Sequence, residues 1–269
     1  MSQFVIAKCL NSNIVKNLFK NYSSIKFDCY EIFVDDAVIK YEVNNKHYIF
    51  YGDPIFPRHI DKNKYLSSIL ENFDDHTLRE IKGIFYLFVF DNLDKSLSIY
   101  NSIFSLLPIY YYNSKDTTLI SSDLNLIRKG INSNLQIDYS YIIEKVLFNY
   151  SFCNRTIYSK INLVDSNCYI KLANGKHKII KHTNIENYFG HVTHYKNVTN
   201  SLAEKFIEVI NDYFPEDSFN VSFTGGFDGR TIVSCATFLK HKFDTYSFGN
   251  ENSHDIVLPS KHAFQIGIN

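Results

Sequence analysis

Hydrophobic and polar positions change rhythm once along this chain. Before about residue 190 the apolar residues come in short alternating or continuous runs. EIFVDDAVIKYEV (31–43), KHYIFYGD (46–53), GIFYLFVFD (83–91), SLSIYN (96–101), IYYYN (109–113) and TTLISS (117–122) all read as strands. The run 83–91 is unbroken enough for a strand buried on both faces. Asn92-Leu93-Asp94-Lys95 is turn-like, which makes 83–91 and 96–101 a hairpin, and Asn174-Gly175 marks a second one. DLNLIRKG, closing at Gly130, and 138–148, with Ile142, Val146 and Leu147 apolar, are the helical stretches of this half.

Around residues 190–200 strands and helices begin to alternate, which places a domain boundary there and divides the chain into 1–190 and 191–269. Ser201 and Glu204 have capping-box spacing, and Leu202, Phe206, Val209, Ile210 and Tyr213 then share a helical face that must stop before Pro215. SFNVSF (218–223) reads as a buried strand, TGGFDGR (224–230) as a loop and TIVSCATFLK (231–240) as a helix. FDTYSF (243–248) is a second strand and 255–266 a second helix, ending at Gly267. This is the β-α-β-α order of a parallel sheet, so the fold class expected is α+β followed by α/β.

Composition narrows the function classes. The chain has 269 residues, and its 28 Lys and Arg balance 28 Asp and Glu, with the lysines spread among acids and asparagines. Without a basic excess there is no electrostatic case for binding nucleic acid or an anionic membrane. No apolar run approaches a bilayer span and no leader pattern opens the chain, so a cytoplasmic location is expected. Five cysteines (Cys9, Cys29, Cys153, Cys168 and Cys235) are widely spaced with no Cys-x-x-Cys pair, and histidines such as His254 and His262 are loosely placed. Reduced, packed thiols are expected, and a Cys/His metal centre is not.

The segment from Phe223 to Arg230 carries the chemistry, because it joins a buried strand to a helix. Gly225 and Gly226 let backbone amides converge at a helix start, where the macrodipole favours an anion. Thr224 adds a hydroxyl donor, Asp228 is a candidate ligand for phosphate-bound Mg²⁺, and Arg230 is a candidate phosphate partner. The alternative is a Gly-Gly turn with Asp228 as the helix N-cap.

Thr224-Gly225-Gly226-Phe227-Asp228-Gly229 resembles the S-G-G-x-D-S pyrophosphate loop of the asparagine synthetase family, whose relatives include β-lactam synthetases and lasso-peptide cyclases. Thr224 and Gly229 depart from its two serines. Thr245-Tyr246-Ser247-Phe248-Gly249 resembles the family's next strand, and Ser253-His254-Asp255 its S-x-D helix start. Upstream, GIFYLFVFD is similar to G-x-F-A-F-x-x-x-D, SLLPIYYY to G-x-K-P-L-Y-Y, and ISSDLNLI to F-A-S-E-x-K-x-L. RTIYSKINLVDSNCYIK (155–171) is similar to the family linker, with Val164-Asp165-Ser166 in place of Pro-Pro-Gly.

The resemblance implies an N-terminal nucleophile hydrolase-like α/β/β/α sandwich over 1–190, followed by the start of a parallel-sheet ATP-pyrophosphatase domain over 191–269. It implies ATP and Mg²⁺ as cofactors. Thr224, Gly225, Gly226, Phe227, Asp228, Gly229 and Arg230 would cradle the pyrophosphate, Asp228 would bind the metal, and Phe223 and Phe248 would flank the adenine. The family's nucleophilic cysteine position holds Ser2, a much weaker nucleophile. Tyr51-Gly52-Asp53 replaces the family's N-G-E, with Gly52 consistent with a turn, and no R-x-x-G-P-D segment is present.

The expected function is therefore an ATP-dependent, amide-forming ligase that adenylates a carboxylate with release of pyrophosphate and has lost its glutaminase. Its carboxylate and amine substrates would be small molecules or peptides. The family's synthetase domain is longer, so the chain reads as the amino-terminal part of a larger protein, as one completed by a second chain, or as a homodimer subunit. A noncatalytic nucleotide- or partner-binding subunit and a purely structural remnant are the alternatives. His241 and Lys242 read as cations at a helix end, Tyr110-Tyr111-Tyr112 as sandwich packing, and Asp35-Asp36 and Asp74-Asp75 as turn residues.

Overall fold

The computed structural model describes residues 3–8, 17, 19–58, 60–102, 107–114, 117–131, 134–165, 167–182, 184 and 198–268. Ser2, Cys9, Ser166 and the boundary segment 185–197 lie outside the described residues. Chain contacts divide the molecule into two compact units, 1–56 with 60–190, and 57–59 with 191–269.

In the first unit, β1 (Phe4–Lys8), β2 (Ser23–Phe27), β3 (Tyr30–Val34), β8 (Tyr110–Asn113), β9 (Thr118–Ser121) and β10 (Ile161–Leu163) form one sheet, ordered β10-β8-β9-β1-β3-β2. β4 (Val38–Val43), β5 (Lys46–Ile55), β6 (Lys82–Asp91), β7 (Ser96–Asn101), β11 (Cys168–Ala173) and β12 (Lys176–Lys181) form the other, ordered β12-β11-β7-β6-β5-β4. All their pairings are antiparallel. Helices α1 (Lys62–Leu70), α2 (Asp75–Glu80), α3 (Leu124–Gly130) and α4 (Tyr139–Phe148) complete the described elements of this unit.

Side-chain alternation turns these sheets into layers. Along β6, Tyr86, Phe88 and Phe90 enter a core shared with Phe4, Ile6 and Ile120 of the first sheet. Phe85, Leu87 and Val89 face the other way, onto Leu66 and Leu70 of α1 and Leu78 of α2. Val5 and Ala7 of β1 similarly pack outward with Leu126 and Ile127 of α3. The result is helix, sheet, sheet, helix, with three apolar layers between, as the period-2 pattern requires. The tyrosine triple obeys the same rule: Tyr110 and Tyr112 face the α3 layer and Tyr111 the inter-sheet layer.

Turn chemistry sets the register. Asp91 pairs with Ser96 across the Asn92–Lys95 turn, held by the Asp91 and Asp94 carboxylates accepting from Leu93 and Ser96 amides. Asn44-Asn45 and Asn174-Gly175 have positive φ at both positions, the geometry of tight hairpin turns whose twist matches the strands. The run 31–43 does not continue as one strand. It breaks at Asp35 and Asp36, and β3 and β4 go to different sheets. Gly52 is not a turn residue: it lies inside β5, paired with Phe85 at φ 108°, and a Cβ there would sit 2.7 Å from the Ile84 carbonyl oxygen.

The second unit contains α5 (Val198–Tyr213), β13 (Phe219–Ser222), α6 (Phe227–Phe238), β14 (Phe243–Tyr246) and α7 (His254–Ile266). β13 and β14 pair in parallel, Phe219 with Phe243 through Ser222 with Tyr246. Val221, Phe223 and Val233 make its buried core, with Phe219, Phe243 and Ala263 packed against them.

Three local expectations are corrected here. Ser201 lies inside α5, which begins at Val198, so Ser201 and Glu204 do not form a capping box. α6 starts at Phe227, four residues before the sequence boundary, because a helix's first-turn amides need no internal acceptor and Asp and Gly are tolerated there. His241 is not a dipole-balancing cation. Its ring packs on Phe214 and its Nε2 lies 3.0 Å from Asn211 Oδ1, while burial and then Arg58 lower its pKa.

Candidate functional site

Two places in the structure are candidate sites, and the residues singled out by sequence for nucleotide binding gather at the first. The first is the carboxyl edge of the two-stranded parallel sheet, where α/β folds characteristically bind ligands. β13 leads through Phe223 into Thr224 and the two glycines. Phe223 donates its amide to the Tyr246 carbonyl at 2.8 Å, and its own carbonyl accepts from Ser247 Oγ, so the two strand ends are tied together. The Thr224 hydroxyl accepts from the Gly226 amide at 3.3 Å, tightening the turn.

Gly226, not Asp228, is the N-cap of α6, and no side chain closes that end. Asp228 sits in the first turn, exposed, where its charge complements the helix dipole. Arg230 folds back, its Nε donating to the Gly226 carbonyl at 3.2 Å. A Cβ at Gly229 would lie 3.2 Å from the Ser222 carbonyl oxygen, so α6 sits close against the end of β13 there. Phe227 is 74% exposed and Phe248 is 80% exposed, whereas Phe223 is buried in the core. Phe223 thus offers an edge and a backbone rather than an open ring face.

The next helix starts in a related way. Gly249, at φ 152°, turns the chain after β14, and a Cβ there would meet Ser253 Oγ at 2.6 Å. Ser253 is the N-cap of α7, yet its side chain makes no capping bond and its Oγ is buried without a hydrogen-bond partner. A cleft of about 440 Å³ opens beside these strand ends, lined by Phe223, Tyr246, Ser247, Ile256, Pro259 and Phe264 among others. The contrast with the first unit is sharp: α1, α2, α3 and α4 are each capped by an aspartate, Asp61, Asp74, Asp123 and Asp138. Among the described residues no group of three or more His, Cys, Asp or Glu side chains is placed to hold a metal on its own. A Mg²⁺ ion normally takes only one or two carboxylates and completes its shell with phosphate and water, so exposed Asp228 beside the glycine turn fits that role.

The second place is the start of β1, and sequence reading missed it. The Gln3 amide donates to Asp35 Oδ1 at 2.9 Å, and the Gln3 carbonyl accepts from the Tyr51 hydroxyl at 2.8 Å. Its side chain bridges Asp123 at 3.0 Å and the Tyr22 hydroxyl at 2.9 Å. Tyr51 also donates to Asp35, and its ring stacks on Tyr86 and Phe88 and meets Phe4 edge-on. Burial, then the hydrogen bond to Asp35, pushes its phenol far above the usual range, so it is a neutral donor. These partners are separated by 16 to 120 residues, and no local pattern links them.

Residues 62–184 match the family model of a glutamine amidotransferase domain. That amidotransferase-like segment runs from α1 through β12 and stops short of the glycine turn. Two solved structures are similar along the whole chain. One is glutamine phosphoribosylpyrophosphate amidotransferase from B. subtilis complexed with ADP and GMP, at 8% identity over 100% of this chain and 71% of that one, with a TM-score of 0.44. The other is the allosteric regulatory enzyme of purine biosynthesis, at 9% identity over 100% and 70%, also with a TM-score of 0.44. No curated protein matches. Among the described residues, no helix is long and apolar enough to cross a membrane.

Proposed function

We propose that the chain is an asparagine-synthase-like ligase unit in which residues 191–269 bind Mg·ATP at the Thr224–Arg230 turn and activate a carboxylate. Residues 1–190 would keep an amidotransferase-type fold without glutaminase activity. One observation carries the reading: α6 and α7 leave the carboxyl ends of adjacent parallel strands with no side chain capping either, while every described helix of the other unit with a cap is closed by aspartate. Helix starts left without a side-chain cap are where a polyphosphate binds.

In such a ligase ATP supplies an adenylyl group to the carboxylate and pyrophosphate leaves, and an amine then attacks the acyl carbon, displacing AMP and losing a proton to give the amide. This chain's residues would bind and orient. The amides at Gly225 and Phe227 and the Thr224 hydroxyl, whose oxygen holds the Gly226 amide, would face phosphate oxygens, and Asp228 would hold Mg²⁺. Arg230, fixed on Gly226, would keep a cation beside the leaving group. Phe248 would cover the base. Loss of glutaminase is supported by Tyr51, which stands where the resemblance puts an oxyanion-stabilising asparagine; its hydroxyl is committed to Gln3 and Asp35. The amine would come from free ammonia or a second substrate.

A noncatalytic nucleotide-binding subunit is the second reading, favoured by the sheet itself. Among the described residues β13 and β14 each pair on one side only, and parallel sheets are normally covered and extended. Strands supplied by continuing polypeptide or a second chain would complete it. Titration calorimetry of Mg·ATP into the chain and into Asp228→Ala tests binding. A pyrophosphate-release assay with mixed carboxylates and amines separates ligase from binding subunit. If the parent protein does not bind Mg·ATP, both readings fail.

A further inference from the structure

We infer that the outer face of the β12-β11-β7-β6-β5-β4 sheet binds a free α-amino acid with an apolar side chain, in a cavity of about 300 Å³ beside the loop between α1 and α2. Strand pairing arranges that face in levels, each two residues further along the strands. Lys46, Asp91 and Ser96 stand side by side on β5, β6 and β7. Val89, Ser98 and Lys171 make the next level, and Tyr100 and Tyr169 the one after it. This is the side of β6 opposite Tyr86, Phe88 and Phe90, and the cavity shares no residue with the start of β1 or with the Thr224–Arg230 turn.

The floor of the cavity has polar groups to spare. Ser98 lines it and is only 9% exposed, yet among the described residues its hydroxyl has no hydrogen-bond partner. A buried hydroxyl left in that state costs free energy that a ligand recovers. Asp91 Oδ1 accepts from the Leu93 amide at 2.8 Å, while its Oδ2 lies 3.7 Å from Lys46 Nζ, too far for a hydrogen bond. Lys171 gives one donor to Asp94 at 2.9 Å and keeps its others. Tyr169 stacks on Tyr100 at 4.3 Å between ring centres, and Phe73 from the loop meets Tyr100 edge-on at 5.6 Å, so one wall is a fixed aromatic surface.

Charge and shape select the occupant. Lys46 and Lys171 balance Asp74 and Asp91 around the cavity, which gives neither a polyphosphate nor a bare cation an advantage. Among the described residues no group of three or more His, Cys, Asp or Glu could hold a metal. A zwitterion matches both signs at once. Its carboxylate would accept from the Ser98 hydroxyl and Lys171, direct neighbours across β7 and β11, and its ammonium would donate to Asp91 Oδ2 one level away. Its side chain would then lie on Tyr100 and Tyr169. An α-amino acid carries these three groups on one carbon, and the cavity is at the small end of the roughly 300–1,000 Å³ of ligand sites.

Titration calorimetry of L-leucine and L-phenylalanine into the full chain tests this. At least one is expected to bind with one-to-one stoichiometry. N-acetyl-L-leucine and L-leucinamide, which lack the ammonium and the carboxylate in turn, should bind about tenfold more weakly or worse. Ser98→Ala and Asp91→Asn keep the shape of the floor, and each should weaken binding about fivefold or more with unchanged far-UV circular dichroism. A chain that binds neither amino acid at millimolar concentration overturns the proposal. So does binding indifferent to both variants, or analogues that bind as tightly as the amino acids. Glucose bound in their place would make the cavity a polyol site and overturn it as well.

Discussion

Replacing Gly52 with alanine puts a methyl group where β5 and β6 leave no room. The backbone there has φ 108°, and the new Cβ would lie 2.7 Å from the Ile84 carbonyl oxygen and 3.1 Å from Phe85 Cα, both main-chain atoms of the paired strand. Holding an L-residue in that conformation costs roughly 1–3 kcal/mol. Prising β6 away adds about 1–3 kcal/mol, as overpacking in a dense interior does. The less flexible unfolded chain returns about 0.4–1 kcal/mol. A net loss of about 1–5.5 kcal/mol, centred near 3, is a large share of a domain's stability. Gly175→Ala is the matched control. It also has positive φ, 72°, but the nearest atom is the mobile Lys8 Nζ at 3.3 Å, so the cost should be only the left-handed conformation, about 1–2 kcal/mol. Urea unfolding followed by tyrosine fluorescence measures both, because most of the 20 tyrosines precede residue 190. If Gly52→Ala costs no more than Gly175→Ala, the close approach of β5 and β6 described above is wrong.

Tyr51→Phe keeps the ring packing but removes the donor shared by Gln3 and Asp35, and should cost about 1.5–3 kcal/mol in the same urea assay. Phe248→Ala, at an exposed ring, should leave stability within about 0.5 kcal/mol. It should also weaken Mg·ATP binding by roughly fivefold or more in calorimetry, the loss expected of one base-stacking contact; unchanged affinity would remove Phe248 from the site. His182 is buried, and burial followed by the nearby Arg79 lowers its pKa. A depressed folded-state value means that its contribution is intact above the unfolded pKa near 6.5 and lost as pH falls through the folded value. Stability of the first unit should therefore decline below about pH 6.5. His182→Gln should flatten the urea midpoint over that window relative to the parent, and an unchanged slope would assign the decline to other groups.

The sequence by itself determined what depends on neighbours a few residues apart. Period-2 alternation placed most of the described strands, and even told Tyr110 and Tyr112 from Tyr111, because adjacent side chains on a strand must face opposite ways. Asn174-Gly175 and Asn92–Lys95 specified hairpins through positive φ and short side-chain acceptors. Strand-helix alternation after residue 200 foretold the parallel pairing of β13 with β14. The folded structure decided what depends on distant partners. Strands carry no label for their sheet, so the parting of β3 from β4 at Asp35 follows from which apolar faces find a common core. Tyr51 meets Gln3 only because β5 and β1 lie in facing sheets. The four residues from Phe227 to Arg230 read as loop by composition, yet they are the first turn of α6, whose Val233 and Ala236 are buried. The apolar positions of 138–148 pointed to a helix, which is there, and the structure leaves Ile142, Val146 and Leu147 exposed on it. Periodicity reports that a helix has an apolar side, and only the placement of Glu144 against Arg155 settles which way that side looks.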